Sequence, residues 1–327
     1  MVASVPELAG FSSGPTPVLV AEDDPVFRLL FQRSLEQWGY QVTLVQDGAA
    51  AWRHLQSDHR PRLLLLDWMM PGMDGVEICR RVRALQHEAY SYILVVTSRS
   101  EKQDAIFALD AGADDYITKP IDINELRARV QVGRRILQLQ NELVRSREQL
   151  RLQATRDALT GLLNRRCIIQ GLSDELSRAE RGAKSIGVLM LDLDHFKEVN
   201  DLHGHMAGDT VLAEVAGRLV SAVRTYDKVG RYGGEEFLVV LPDCSEDLLG
   251  CIAERMRVRV EARAVVTACA EIAVTVSVGG TVTGERAHKD VATLIRAADQ
   301  ALYQAKARGR NCCVIGRGQC LPAPQAV

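Results

Sequence analysis

Four leucines in succession, Leu63-Leu64-Leu65-Leu66, closed by Asp67, leave no polar face for solvent. An extended run that is apolar on both faces is stable only as an inner strand covered on each side. Companion runs lie at helix-sized intervals: Val18-Leu19-Val20-Ala21, Val42-Thr43-Leu44-Val45, Ile93-Leu94-Val95-Val96 and Tyr116-Ile117-Thr118. Longer amphipathic stretches separate them. Residues 17–123 therefore predict an α/β domain, a doubly wound sheet of five parallel strands between helices. Chemistry in such sheets gathers at the carboxyl ends of the strands. Those ends carry Glu22-Asp23, Asp67, Thr97-Ser98 and Lys119-Pro120. Three acids, a hydroxyl and a lysine on one edge suit a divalent ion beside a phosphoryl group.

The second half, residues 157–316, turns on Arg231-Tyr232-Gly233-Gly234-Glu235-Glu236-Phe237. Apolar segments flank the glycines, Tyr226 to Tyr232 and Phe237 to Leu241, with the spacing of a two-residue hairpin turn. Two uncompensated acids at a turn pack poorly but hold a hard cation well, and glycine beside them lets a polyphosphate approach the backbone. The bland alternative is an exposed acidic turn. A buried strand, Ser185 to Leu193, ends in Asp192-Leu193-Asp194, with both aspartates on one face by strand alternation. Asp194 is placed to cap the next helix, which carries Lys197 and Asn200, and Asp209 to open another after Gly208. Acids, a cation and an amide together suit a metal-bound phosphorylated ligand with a hydrogen-bonding base. His203-Gly204-His205 lacks the partner ligands of a zinc site.

Between the halves, residues 124–156 hold 8 basic and 3 acidic side chains, against 11 and 17 in residues 1–123, so an acidic domain leads into a basic connector. Proline is absent there, and Val132, Ile136, Leu139, Leu143 and Leu150 recur in steps of three and four, interrupted at Ser146. This stripe predicts a helix of about 45–50 Å that pairs with a second copy as a coiled coil. The alternative is a helix lying on its own domain. The basic excess reads as a solvated face, and no module has the sustained positive face that nucleic acid requires. Eight cysteines without a C-x-x-C pair imply free thiols in a reducing, cytoplasmic setting, and no apolar run is of membrane-spanning length. Residues 1–16 and 317–327, rich in small residues and proline, are expected to be flexible tails.

With its strand-end residues in order and LLLLDWMMPGMDG around Asp67, the first half resembles a response-regulator receiver domain. The resemblance implies that Asp67 is phosphorylated by a sensor histidine kinase. Glu22, Asp23, Asp67 and the Met69 carbonyl would hold magnesium, although the first acid of the pair is more commonly aspartate. Thr97 and Lys119 would contact the phosphoryl group, Tyr116 would be the aromatic switch, and Lys119-Pro120 a cis peptide.

The motifs DALTGLLNRR, DLDHFKEVNDLHGHMAGD and RYGGEEF make the second half similar to GGDEF-family diguanylate cyclases, an α/β nucleotidyl-cyclase-like fold that condenses two GTP into cyclic di-GMP. By that resemblance Asp192, Glu235 and the Leu193 carbonyl bind Mg2+ or Mn2+, and Glu236 is catalytic beside them. Asn200 and Asp209 read guanine. Lys306 and Arg310, one turn apart, grip phosphates, with Lys197 assisting and Gly233 and Gly234 giving access. Arg224 and Asp227, otherwise an accidental surface pair, match the product-inhibition site, to which Arg255 could contribute. A homodimer through stalk and receiver is implied, because each domain holds one GTP. The rival reading is a degenerate domain that senses cyclic di-GMP without making it.

Overall fold

The computed structural model describes residues 14–57, 60–85, 90–98, 102–182, 184–283 and 290–316. The expected tails, apart from residues 14–16, lie outside the described residues. The chain divides into two compact units, Met1–Glu148 and Gln149–Val327.

In the first unit, strands β1 (Thr16–Ala21), β2 (Tyr40–Val45), β3 (Leu63–Asp67), β4 (Tyr92–Thr97) and β5 (Asp115–Thr118) alternate with helices α1 (Pro25–Gln37), α2 (Gly48–Leu55), α3 (Gly75–Ala84) and α4 (Lys102–Asp110). All neighbouring pairs are parallel, in the order β2-β1-β3-β4-β5. β1 starts at Thr16, one residue inside the expected tail. The leucine run sits at the centre, and its alternation is resolved: Leu64 and Leu66 join one core layer, Leu63 and Leu65 the other. Asp24, Asp47 and Asp74 each accept backbone N–H groups at the starts of α1, α2 and α3, which fixes where those helices leave the strand ends.

Helix α5 runs from Ile123 to Thr155. Leu126, Val130 and Leu137 are buried in the first unit's core. A Cβ on Gly133 would stand 2.4 Å from the Tyr92 ring, so the one glycine of the helix marks where it approaches the sheet. The start of α5 thus lies on its own domain. The expected stripe occupies another face: Val132, Leu139, Leu143 and Leu150 are exposed, whereas Ile136 is half-buried against the core.

The second unit contains α6 (Arg165–Gly182), β6 (Ile186–Leu193), α7 (Phe196–His203), α8 (His205–Ser221), β7 (Lys228–Arg231), β8 (Glu236–Pro242), α9 (Glu246–Glu261), β9 (Val265–Val266), β10 (Glu271–Ile272), β11 (Val276–Val282), α10 (Val291–Ala307) and β12 (Cys313–Gly316). Its main sheet has the order β12-β11-β6-β8-β7, antiparallel except for β11 with β12. On β6, Leu189, Leu191 and Leu193 face the layer made with α8 and α9, and Ile186, Val188 and Met190 face α6 and α10. By the same parity Asp192 belongs to the α10 face.

Asp157-Ala158-Leu159-Thr160 forms a turn, with Asp157 accepting the N–H and hydroxyl of Thr160. Two local expectations are corrected. α8 begins at His205, so Asp209 stands in its second turn. The residue flanking α7 is His195, in a left-handed conformation, and Asp194 makes no cap.

Candidate functional sites

At the carboxyl edge of the first sheet, Glu22 is fully buried and its Oε1 accepts Lys119 Nζ at 2.9 Å. The same ammonium reaches Asp67 Oδ2 at 3.0 Å and stands 4.4 Å from the Phe27 ring centroid. Burial pushes the Glu22 carboxyl up to about 7, against the pull of Lys119 and with the Asp67 charge adding to the rise. Burial draws Lys119 down, but its two carboxylate partners leave it above its ordinary range. Glu22 Oε2 is buried without a hydrogen-bond partner. Carboxylate oxygens of Glu22, Asp23 and Asp67 lie within 4.8 Å of one another, so these residues fit a hard divalent cation that would satisfy the orphaned oxygen.

Thr97 is buried at the end of β4, where its carbonyl accepts the Lys119 N–H at 2.8 Å. The Lys119-Pro120 bond is cis. Tyr116 is half-buried against the core layer that holds Leu64 and Leu66, with the Arg129 guanidinium 5.9 Å from its ring. The Met69 side chain is exposed.

In the second unit the acidic turn is longer than a two-residue hairpin. Tyr232 N–H donates to the Glu236 carbonyl at 2.8 Å and encloses Gly233, Gly234 and Glu235. Glu236 is then the first residue of β8 and pairs in register with Asp192 of β6. Like charges directly opposite on a sheet destabilise it, so a structural role does not explain this pair. Burial, then the Asp192 charge, raises the carboxyls of both Glu235 and Glu236. Asp192 is raised by burial despite Lys306, whose Nζ lies 2.8 Å from Asp192 Oδ2. Three acids that resist ionisation beside one ammonium fit a further cation. Leu193 closes β6, its N–H donated to the Glu235 carbonyl at 3.3 Å.

Arg231 holds the turn from behind. Its guanidinium donates to the Gly234 carbonyl at 2.7 Å and to both Asp157 oxygens at 3.1 and 3.2 Å. That clamp was invisible in sequence, since 74 residues separate the partners.

Asn200 on α7 and Asp209 on α8 flank Gly208. A Cβ on Gly208 would stand 2.0 Å from Asn200 Oδ1, so the glycine makes room for that amide. Lys197 is exposed on α7. Arg310 is not one helical turn beyond Lys306: α10 ends at Ala307, and Gly309, Arg310 and Asn311 all have positive φ. The Arg310 charge nonetheless acts on Asp192.

Arg224 and Asp227 form no surface ion pair. Asp227 Oδ2 accepts the Arg224 backbone N–H at 2.7 Å, and the Arg224 guanidinium lies 5.7 Å from the Tyr226 ring and bonds its hydroxyl. Burial raises the Asp227 carboxyl, while Arg224 and Arg255 act against the rise, which places Arg255 within electrostatic reach.

Two family models match the chain: the response regulator receiver domain over residues 18–131, and the diguanylate cyclase GGDEF domain over residues 154–312. The chain belongs to the response regulators that join a receiver domain to a GGDEF domain. Among curated relatives it is similar to the response regulator PleD of Caulobacter vibrioides, 36% identical over 261 residues, covering 78% of this chain and 56% of that one. The diguanylate cyclase DosC of Escherichia coli is 44% identical over 156 residues, 47% of this chain and 34% of DosC. The chain thus spans just over half the length of PleD and a third of DosC. The solved coiled coil and GGDEF domain of DgcB from Caulobacter crescentus, in complex with c-di-GMP, is 31% identical with a TM-score of 0.52, over 58% of this chain and 99% of that one.

Proposed function

We propose that the protein is a phosphorylation-regulated diguanylate cyclase that condenses two GTP into cyclic di-GMP and releases two pyrophosphates. The observation that carries this reading is the in-register pair of Asp192 and Glu236, with Glu235 beside it and Lys306 on Asp192. Residues 17–123 would be the receiver, 124–156 the stalk and 157–316 the cyclase domain.

Each cyclase domain holds one GTP, its guanine against Asn200 and Asp209 and its phosphates against Lys306 and Arg310, with Lys197 assisting. Space beside Gly234 is open, which suits a phosphate chain close to the backbone. A magnesium or manganese ion bound by Asp192, Glu235 and the Leu193 carbonyl would supply Lewis-acid charge at the phosphates. The 3′-oxygen of each GTP attacks the α-phosphorus of the other, one pyrophosphate departs from each, and the Glu236 carboxylate takes the hydroxyl proton. Lys306 and Arg310 offset the charge that develops on the departing phosphates.

Two half-sites must face each other, so the active species is a dimer. The exposed Leu139, Leu143 and Leu150 of α5 are its coiled-coil seam. Phosphorylation of Asp67 by a histidine kinase adds charge beside Lys119 and the receiver ion, biasing Thr97 and Tyr116 and through them the pairing of two copies. Cyclic di-GMP bound at Arg224, Asp227 and Arg255 would inhibit. A cytoplasmic setting is inferred from eight cysteines without a C-x-x-C pair; among the described residues no helix is long and apolar enough to cross a membrane.

The test is incubation with GTP and magnesium, with and without a small phosphoryl donor, followed by chromatography for cyclic di-GMP and pyrophosphate. Glu235→Ala should abolish synthesis and leave cyclic di-GMP binding intact, and Arg224→Ala should relieve inhibition. Absence of synthesis by wild type in both states, with tight product binding retained, would replace the enzyme with a receptor.

A further inference from the structure

The buried aspartate that caps nothing has another task. Asp194 is 5% exposed and has no ion pair among the described residues. Three donors converge on it instead. Ser277 Oγ reaches Oδ1 at 2.6 Å, and Thr275 Oγ1 reaches Oδ2 at 2.7 Å. The backbone N–H of Asn311 reaches the same Oδ2 at 3.1 Å across 117 residues of chain.

Asn311 closes the turn that follows α10. Gly309, Arg310 and Asn311 have φ of 107°, 64° and 45°, three consecutive residues in the left-handed half of the map. Only glycine enters that region without steric strain, and asparagine is among the few side chains that tolerate it. A turn with two non-glycine residues there persists only where its surroundings over-determine it. The surroundings do so from two sides. Asp194 takes the Asn311 backbone, while α9 takes its side chain: Arg257 Nη1 donates to Asn311 Oδ1 at 2.8 Å, and Asn311 Nδ2 donates to Glu261 Oε1 at 2.8 Å. The Asn311 amide is the foremost cause holding the Glu261 carboxyl below its ordinary range, ahead of Arg257. All three partners bear on the one residue next to Arg310.

We propose that Asp194 and Asn311 are positioning residues: they hold the strained turn so that Arg310 projects beside Lys306 over Asp192, and thereby set the affinity of the site for a phosphate chain. The proposal rests on the cyclase reading in assigning Arg310 to phosphate, and it adds a means by which a cation outside any helix keeps a fixed position. Asp192 and Asp194 share a face yet divide the labour. Asp192 meets Lys306 directly, whereas Asp194 anchors the backbone that carries Arg310.

The experiment is a double-mutant cycle read by pyrophosphate binding in a calorimeter and by steady-state kinetics with GTP. Asn311→Gly keeps a backbone that enters positive φ freely but removes the grip of α9, so the variant should fold. It should weaken pyrophosphate binding about tenfold and raise KM for GTP, with kcat falling as well because Arg310 also offsets charge on the departing phosphates. Arg310→Ala should do the same, and Asn311→Gly added to Arg310→Ala should cost nothing further, because the asparagine acts through the arginine. Asp194→Asn, which replaces one acceptor oxygen by a donor, should match Asn311→Gly. Additive losses in the double variant, or unchanged pyrophosphate affinity in Asn311→Gly, would overturn the proposal. If wild type binds pyrophosphate but makes no cyclic di-GMP, the cyclase reading fails alone, and the cycle on pyrophosphate still decides the role of Asn311.

Discussion

Glu22→Gln should make the first unit more stable at neutral pH in the absence of divalent ions. The wild-type carboxyl is fully buried, and burial raises it from an ordinary 4.5 to about 7. At about 1.4 kcal/mol per tenfold change in proton affinity, that rise corresponds to on the order of 3 kcal/mol. Shared contact with Lys119 makes this an upper bound. Between pH 4.5 and 7 the folded protein keeps a proton that the unfolded chain has released. Stability associated with Glu22 is therefore full below pH 4.5 and lost as pH rises through 7. Glutamine imitates the protonated acid, its oxygen still accepting Lys119 and its amide able to donate to Asp67, so the variant should escape the loss. All three tryptophans, Trp38, Trp52 and Trp68, belong to the first unit, so urea unfolding followed by tryptophan fluorescence reports this unit alone. In chelator, the difference between variant and wild type should grow from near zero at pH 4 to its maximum above pH 7. Magnesium should then favour wild type by mass action. Parallel stability curves from pH 4 to 8 in chelator would refute the argument that burial governs this carboxyl.

Gly208→Ala puts a methyl group 2.0 Å from Asn200 Oδ1 and 3.0 Å from its Cγ, so the amide must move. Affinity for a GTP analogue should fall roughly 10- to 100-fold, the loss of one or two buried hydrogen bonds, while thermal stability changes little; unchanged binding would remove Asn200 from the guanine site. Leu139→Asp with Leu143→Asp changes two exposed positions of α5 and should leave the melting of both units intact. Sedimentation should then show a monomer, with cyclase activity lost, if that stripe is the seam of a dimer.

Much of the fold was legible because burial writes itself into sequence. Leu63 to Leu66 have no polar alternate, so both faces had to be covered, and the polar residues that follow each strand had to meet at one edge. The stripe on α5 was read correctly as apolar spacing, but its periodicity did not say which face the first domain would take. Leu126, Val130 and Leu137 turned inward because Gly133 permits contact with Tyr92, and the charged neighbours hid that second stripe.

The second site divides along the same line. Lys306 came only with the family resemblance, whereas Asp192, Glu235 and Glu236 were legible as candidates from the residues themselves, since acids and glycines at strand ends are local features. Their register was not local. Whether Glu236 or Glu235 stands opposite Asp192 depends on the length of the acidic turn, and a shift of one residue would send the carboxylate to the α8 and α9 face. Likewise Asp194 looked like a helix cap, the usual task of an aspartate before a helix. Only the tertiary structure brought Thr275, Ser277 and Asn311 to it from more than 80 residues away. What the sequence by itself determined was the covering of strands and the chemical types at their ends, because both follow from the transfer of side chains out of water. What the tertiary structure alone decided was which charges face one another and which backbone each one holds, because those distances are set by strand register and helix termination across the whole domain.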